Sequence, residues 1–281
     1  MRGYHGRVTS PGPAELPGFD PTVPSEARVT DSFTGGKDNF AADRELAKLA
    51  LEIAPELPMV FQESRKFADR AARFLVDAGV RQFIDVGCGM PTPDSLHHVL
   101  RPVAPDAKVA YVDHDPVVVA HGRALIDITG PVRFVQADAR DPDRMLDHPD
   151  LTRIIDLNAP VAILLQSLLT VIPEDDVATA VVRRFIDRLP SGHGYLLVTH
   201  AVRDIRPEVT AELAQLYQEQ GTVKGEHKEN VRSWKEVEHF LDGLRLVPPG
   251  VVPLPDWRPD PGEPTIDTSA FWVVGGIGQK P

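Results

Sequence analysis

Apolar and polar positions fall into blocks along this chain, and the period of the blocks changes near residue 79. Upstream, residues 40–54 read as a helix that Pro55 and Pro58 break. Residues 61–78 read as a second helix, with Phe67, Ala71, Phe74, Leu75 and Ala78 on one face at i, i+4, i+7 and i+8 spacing. Gly79 is placed to end it. Downstream, short apolar runs predict strands at 82–86, 108–113, 133–137, 161–165 and 195–199. Helical patterns separate them at 94–103, 116–126, 141–146 and 173–189. Such alternation predicts an α/β, doubly wound and mostly parallel sheet with helices on both faces. Further helices are expected at 207–220 and 234–241. The segments LRLVPPGVVPLPDW and FWVVGGIG then predict a closing pair of strands, for a seven-stranded sheet whose C-terminal strand is antiparallel.

The first 24 residues are rich in Pro and Gly and predict a flexible arm. Residues 25–79 would form an N-terminal helical extension capping the fold, and 80–281 a Rossmann-like domain. The arm has no apolar run of the signal-peptide kind, and nothing approaches the ~20 apolar residues of a membrane span. Cys88 is the single cysteine and has no internal partner for a disulfide. A cytoplasmic protein, monomer or homodimer, is expected. A net charge of −11, from 41 acids against 30 bases, repels a polyanion, so no nucleic-acid partner is expected.

The chemistry concentrates where predicted strands end. RQFIDVGCGMPT (81–92) is a strand that closes on Asp85 and turns through Gly87, Cys88 and Gly89. A strand, an acidic residue, a glycine turn and then a helix build a pocket for an adenosine-bearing cofactor. Asp113 ends the second strand and Asp138 follows the third, so three carboxylates should converge on one crevice. The Gly87–Gly89 turn lets backbone approach a ligand without a Cβ. Asp113 can accept from both ribose hydroxyls. Asp138 can accept from an adenine amine and the Ala139 N–H can donate to a ring nitrogen. His114 could pack on the base or ribose. Asp115 suits the helix cap before Pro116 better than Asp113 does. Cys88 fits the turn by its size and is not expected to be a nucleophile.

At the end of the fifth strand His200 is the best placed general base, since an ordinary imidazole titrates near ~6.5. The block GGKDNF is not a phosphate loop, because Asp38 follows Lys37 where Ser or Thr is needed. It reads either as a flap with Lys37, Asn39 and Phe40 over the pocket, or as a turn in which Asp38 or Asn39 caps the next helix. Arg28 could pair with an acidic edge. His97 and His98 should point to different faces of a helix, and no metal is expected.

DVGCGMP, YVDHDP and QADAR resemble, in order and spacing, the first three motifs of Rossmann-like S-adenosylmethionine-dependent methyltransferases. More narrowly, PSEARVTDSFTGGKDNFAAD, RQFIDVGCGMPT, YVDHDPVVVAHGRAL and LVPPGVVPLPDWRPD resemble an actinobacterial-type S-adenosyl methyltransferase family of uncharacterised function. That resemblance covers nearly all of the chain after Pro24. It implies S-adenosyl-L-methionine as cofactor, Asp85 at its methionine end, Gln166 and Ser167 at the switch-point side, and a small-molecule methyl acceptor attacked in line. Two other readings share the pocket. A nicotinamide-dependent oxidoreductase needs a full G-x-G-x-x-G, and this turn lacks the third glycine. A binding protein could keep the pocket without transfer activity.

Overall fold

The computed structural model describes residues 19–126, 130–222, 231–263 and 266–281. The chain opens with three helices: α1 (Glu26–Phe33), α2 (Ala41–Ile53) and α3 (Leu57–Asp77). It then alternates through β1 (Gln82–Val86), α4 (Leu96–Leu100), β2 (Lys108–Asp113), α5 (Pro116–Leu125), β3 (Val132–Gln136), α6 (Pro142–Leu146), α7 (Pro149–Thr152), β4 (Val161–Gln166), α8 (Asp175–Arg188) and β5 (Gly194–Ala201). Helices α9 (Pro207–Glu219) and α10 (Trp234–His239) lead into β6 (Arg245–Leu246), β7 (Val252–Pro253) and β8 (Val273–Gln279).

The strands form one sheet in the order β3-β2-β1-β4-β5-β8-β6, with β7 also paired to β8. Strands β1 to β5 are mutually parallel. β8 runs antiparallel to β5, β6 and β7. The sheet therefore has eight strands where seven were expected, the surplus coming from the two-residue β6 and β7. The order reverses between β1 and β4, and this is where a doubly wound sheet opens its crevice.

Both faces are dry, which is why these strands read as continuous apolar runs. One face packs Phe83, Val109, Phe134, Leu164 and Leu197 under α3, α4 and α9. The other packs Ile84, Val112, Val135, Ile163 and Val198 under α6, α7, α8 and α10. Helix α3 lays Phe67, Ala71 and Leu75 onto the first face, so it belongs to the sandwich as much as to the cap. It begins four residues earlier than expected, because Pro58 takes an opening position where a missing N–H is no loss.

Helix α1 was not anticipated in the polar stretch before Phe40. It is held by tertiary contacts: Val29 and Phe33 enter the core, and Arg28 pairs with Asp43 at 3.2 Å, both side chains buried. Residues 1–18 of the expected arm lie outside the described residues. The last part is packed, with the Phe19 ring 5.2 Å from that of Phe40. Among the described residues no helix is long and apolar enough to cross a membrane.

Candidate active site

The carboxyl ends of β1 to β5 meet at the crevice. Asp113, 6% exposed, ends β2. Its Oδ2 accepts from the Gly89 N–H at 3.0 Å and its Oδ1 from the Asp115 N–H at 2.9 Å. The carboxylate thus clamps the glycine turn of β1 onto the end of β2. Gly87 and Cys88 donate from the same side to the Val112 carbonyl, at 2.8 and 3.2 Å. Gly87 has φ +71° and Gly89 φ +67°, a region that favours glycine. A Cβ on Gly87 would also stand 2.7 Å from Leu168 Cδ1. The α5 cap is supplied by Asp115, which accepts from the Val117 N–H at 2.8 Å, leaving Asp113 for the turn.

Asp85 lies beside this clamp, equally buried, and receives the Gln166 side-chain amide at 3.4 Å. Burial pushes its carboxyl up to about 7, the Gln166 bond opposes the rise, and the Asp113 charge adds to it. Burial also raises Asp113 and pushes the Cys88 thiol well up, so Cys88 is no thiolate nucleophile. His114 is mostly exposed, with Nδ1 3.5 Å from Asp113 Oδ1. Asp138 is exposed and held by Arg140, whose Nη2 and Nε donate to it at 2.6 and 3.0 Å. Those bonds keep its carboxyl below the usual range. Ala139 is half-buried next to it.

Ser167 continues from β4 in the left-handed region, φ 53°. Its N–H reaches Thr199 Oγ1 at 3.0 Å, which ties the end of β4 to β5. Such an outlier at a switch point is held by its surroundings. A 3₁₀ turn, Leu168–Val171, follows and brings Leu168 over Gly87.

His200 follows Thr199 near the end of β5. It is fully buried on the sheet face shared by Leu196 and Val198, its Nδ1 2.6 Å from the Ala201 carbonyl and its Nε2 3.0 Å from Arg232 Nη1. Arg232 can only donate, so Nε2 accepts and Nδ1 carries the proton. Burial and the Arg232 charge depress the imidazole to about 3. Both nitrogens are hydrogen-bonded and the side chain is fully buried, a setting unlike that of the solvent-facing base expected of His200. The period-2 alternation of β5 carried the signal, because Leu196, Val198 and His200 share one face and Leu197 and Thr199 the other.

Of the N-terminal helices, α1 lies against the glycine turn. A Cβ on Gly89 would lie 4.0 Å from Ala27 Cβ, so α1 rests on the glycine turn. The GGKDNF loop folds around buried Asp31, whose Oδ2 accepts from the Asp38 N–H at 2.9 Å and Asn39 Nδ2 at 2.7 Å. Asp38 Oδ1 is 3.5 Å from His121 Nε2 on α5. Neither Asp38 nor Asn39 caps α2; Asp43 does, accepting from the Phe40 N–H at 2.7 Å. Lys37 is exposed, Asn39 and Phe40 half-buried. The rings of His97 and His98, expected on different faces, lie 4.0 Å apart, and His97 Nδ1 meets the Tyr111 hydroxyl at 2.8 Å. Among the described residues no group of three His, Cys, Asp or Glu side chains could hold a metal.

No curated protein matches the chain significantly. Solved structures do. A DUF574 family protein from Streptomyces avermitilis is 33% identical over 92% of this chain and 98% of its own, with a TM-score of 0.84. A candidate methyltransferase from Thermobifida fusca is 40% identical over 94% of this chain and 97% of its own, also at 0.84. The plantazolicin methyltransferase BpumL in complex with S-adenosylhomocysteine shares 11% identity over 91% of this chain and 95% of its own, at 0.52, a likeness of fold. A family model described as S-adenosyl methyltransferase matches residues 14–281, and the chain belongs to that family of S-adenosylmethionine-dependent enzymes.

Proposed function

We propose that this methyltransferase acts on a small-molecule acceptor held between the carboxyl edge of the sheet and the cover formed by α1, α2 and the GGKDNF loop. The observation that carries the reading is the buried Asp113 clamp on Gly89, with α1 resting directly on the clamped turn. A cover that close suits a small acceptor, and a net charge of −11 disfavours a polyanionic one.

The side chains present suit S-adenosylmethionine. Each Asp113 oxygen spends one lone pair on backbone and keeps capacity for a ribose hydroxyl. Gly89 leaves room that a Cβ would fill, whereas at Gly87 that space already belongs to Leu168. Asp85, with Gln166 beside it, offers an acidic partner for the amino group at the methionine end. On the adenine side stand Asp138, Ala139 and His114. Ser167 and Cys88 contribute backbone along the floor, and Lys37, Asn39 and Phe40 belong to the lid.

The cofactor supplies a methyl on a sulfonium, already an activated leaving group. The protein aligns donor and acceptor in line and keeps water out. Calorimetry tests the reading: S-adenosylhomocysteine should bind at micromolar concentration and NAD should not. A screen of soluble metabolites with methyl-labelled cofactor should then label a small product. Labelled protein or nucleic acid, with no small product, would overturn the acceptor class.

A further inference from the structure

Arg232 is 3% exposed, and its main chain is pinned to the end of β5: Val202 bridges to it, and the Arg203 N–H donates to its carbonyl at 3.0 Å. From there the guanidinium crosses to the turn that follows β4, where it donates to the Leu169 and Ile172 carbonyls at 2.8 Å each. The Phe240 ring lies 5.3 Å from it. Its carboxylate partner, Asp175, is mostly exposed, so a full charge is buried while its counter-charge stays largely in water. An apolar side chain would fill such a place at lower cost in desolvation. What the guanidinium contributes instead is direction, two donors of one rigid fork fixed on two carbonyls of a single short turn.

That turn reaches both Asp85 and the glycine turn. Gln166, just ahead of it, donates to Asp85 at 3.4 Å, and Leu168 fills the space beside Gly87, its Cδ1 2.7 Å from where a Cβ would stand. Between them Ser167 takes φ 53° and is tied to Thr199. A 3₁₀ turn of four residues has poor hydrogen bonds of its own, so its setting comes from outside. We propose that Arg232 is a positioning residue for the amino-acid end of the cofactor: by holding the Leu169 and Ile172 carbonyls it keeps Leu168 on Gly87 and Gln166 on Asp85. The inference rests on the cofactor placement above and adds to it a residue outside the cofactor motifs.

The nucleoside end is separate. In the reading above it falls to Asp113, His114 and Asp138, which follow or end β2 and β3, whereas Arg232 braces β4 and β5 on the other side of β1. Loss of the guanidinium should therefore loosen one end of the ligand and leave the other. A part that merely stabilised the fold would weaken both ends together or neither.

The test titrates the full chain calorimetrically with S-adenosylhomocysteine and with methylthioadenosine, which has the nucleoside and the sulfur but lacks the amino-acid end. Wild type should bind S-adenosylhomocysteine at least tenfold tighter than methylthioadenosine. Arg232→Met should shrink that advantage at least fivefold while methylthioadenosine affinity stays within twofold. Arg232→Lys keeps the charge and can still reach one carbonyl, so it should recover part of the advantage; it carries the same comparison if the methionine variant does not fold. Leu168→Ala should also shrink the advantage. Combined with Arg232→Lys it should lose less than the product of the two single losses, because both act through one contact. Equal losses for both ligands, an unaltered advantage, or losses that simply multiply would each overturn the proposal. A wild type that binds the two ligands alike would overturn it too. Wild-type protein that binds no S-adenosylhomocysteine would instead overturn the reading on which this one rests.

Discussion

Arg232 Nη1 donates to His200 Nε2 at 3.0 Å, and the same guanidinium holds the turn that follows β4. It reaches the Leu169 carbonyl at 2.8 Å, the Ile172 carbonyl at 2.8 Å and Asp175 Oδ1 at 2.9 Å. The pair is a strut under the segment that carries Leu168 to Gly87.

Arg232→Met should accordingly cost about 2–4 kcal/mol of stability, since it orphans two buried carbonyls and an imidazole nitrogen; denaturant unfolding measures it. His200 adds a pH dependence. Its folded value of about 3 lies below the ordinary 6.5, so between them the unfolded chain binds the extra proton. The stability tied to neutral His200 is full above 6.5 and drains as pH falls towards 3, by up to ~1.4 kcal/mol per unit. The stability gap between wild type and His200→Gln should narrow on acidification from pH 7 to 4. A gap that is constant with pH would contradict the buried, neutral imidazole.

Asp113→Ala removes the clamp on Gly89 together with a ribose acceptor. Its affinity for S-adenosylhomocysteine should fall by about 1.5–3 kcal/mol, the worth of lost charge-assisted bonds. Asp113→Asn keeps one acceptor oxygen and should lose less. Calorimetry on both variants orders them, and an alanine variant that binds as wild type does would remove Asp113 from the ribose.

Asp85 sits near 7 when the ordinary value is 3.8. The folded chain binds the extra proton in that window, so Asp85 makes stability fall as pH rises from about 4 to 7. Ligand binding runs the other way, because an ammonium needs the ionised carboxylate. Affinity for S-adenosylhomocysteine should weaken below pH 7, by at most about tenfold per unit, with proton release detectable in buffers of different ionisation heat. Asp85→Asn should flatten that dependence.

The GGKDNF loop depends on one carboxylate. Asp31→Ala removes the acceptor of the Asp38 N–H and Asn39 side chain, and should cost about 1–3 kcal/mol. Gly36→Ala should do comparable damage, since a Cβ there would lie 1.8 Å from Asp31 Oδ1. Amide exchange should accelerate over 36–40 in both variants and remain unchanged in β1. Uniform acceleration throughout the chain would show that the loop has no independent stability.

Strands β1 and β2 fall on their expected residues because a strand buried on both faces writes itself as an apolar run between polar turns. The acids at their ends were legible for the same reason, since Asp85 and Asp113 interrupt those runs where the crevice opens. Helix α1 was not legible. Its EARVTDSF has only Val29 and Phe33 to mark a buried face, and what fixes it is Arg28 meeting Asp43, fifteen residues away. The setting of His200 depends on Arg232, thirty-two residues on, and no local pattern reports that partner.

Strand β8 slots between β5 and β6, both of which are made before it. Until it arrives, the outer edge of β5 is a bare row of amides and carbonyls, and β6 has no neighbour to pair with. An emerging chain thus carries an open, apolar border for as long as it takes to synthesise some seventy further residues. Such a border is what chaperones shield and what nucleates aggregation when they do not. Yield on overexpression will be set by the wait for that last insertion.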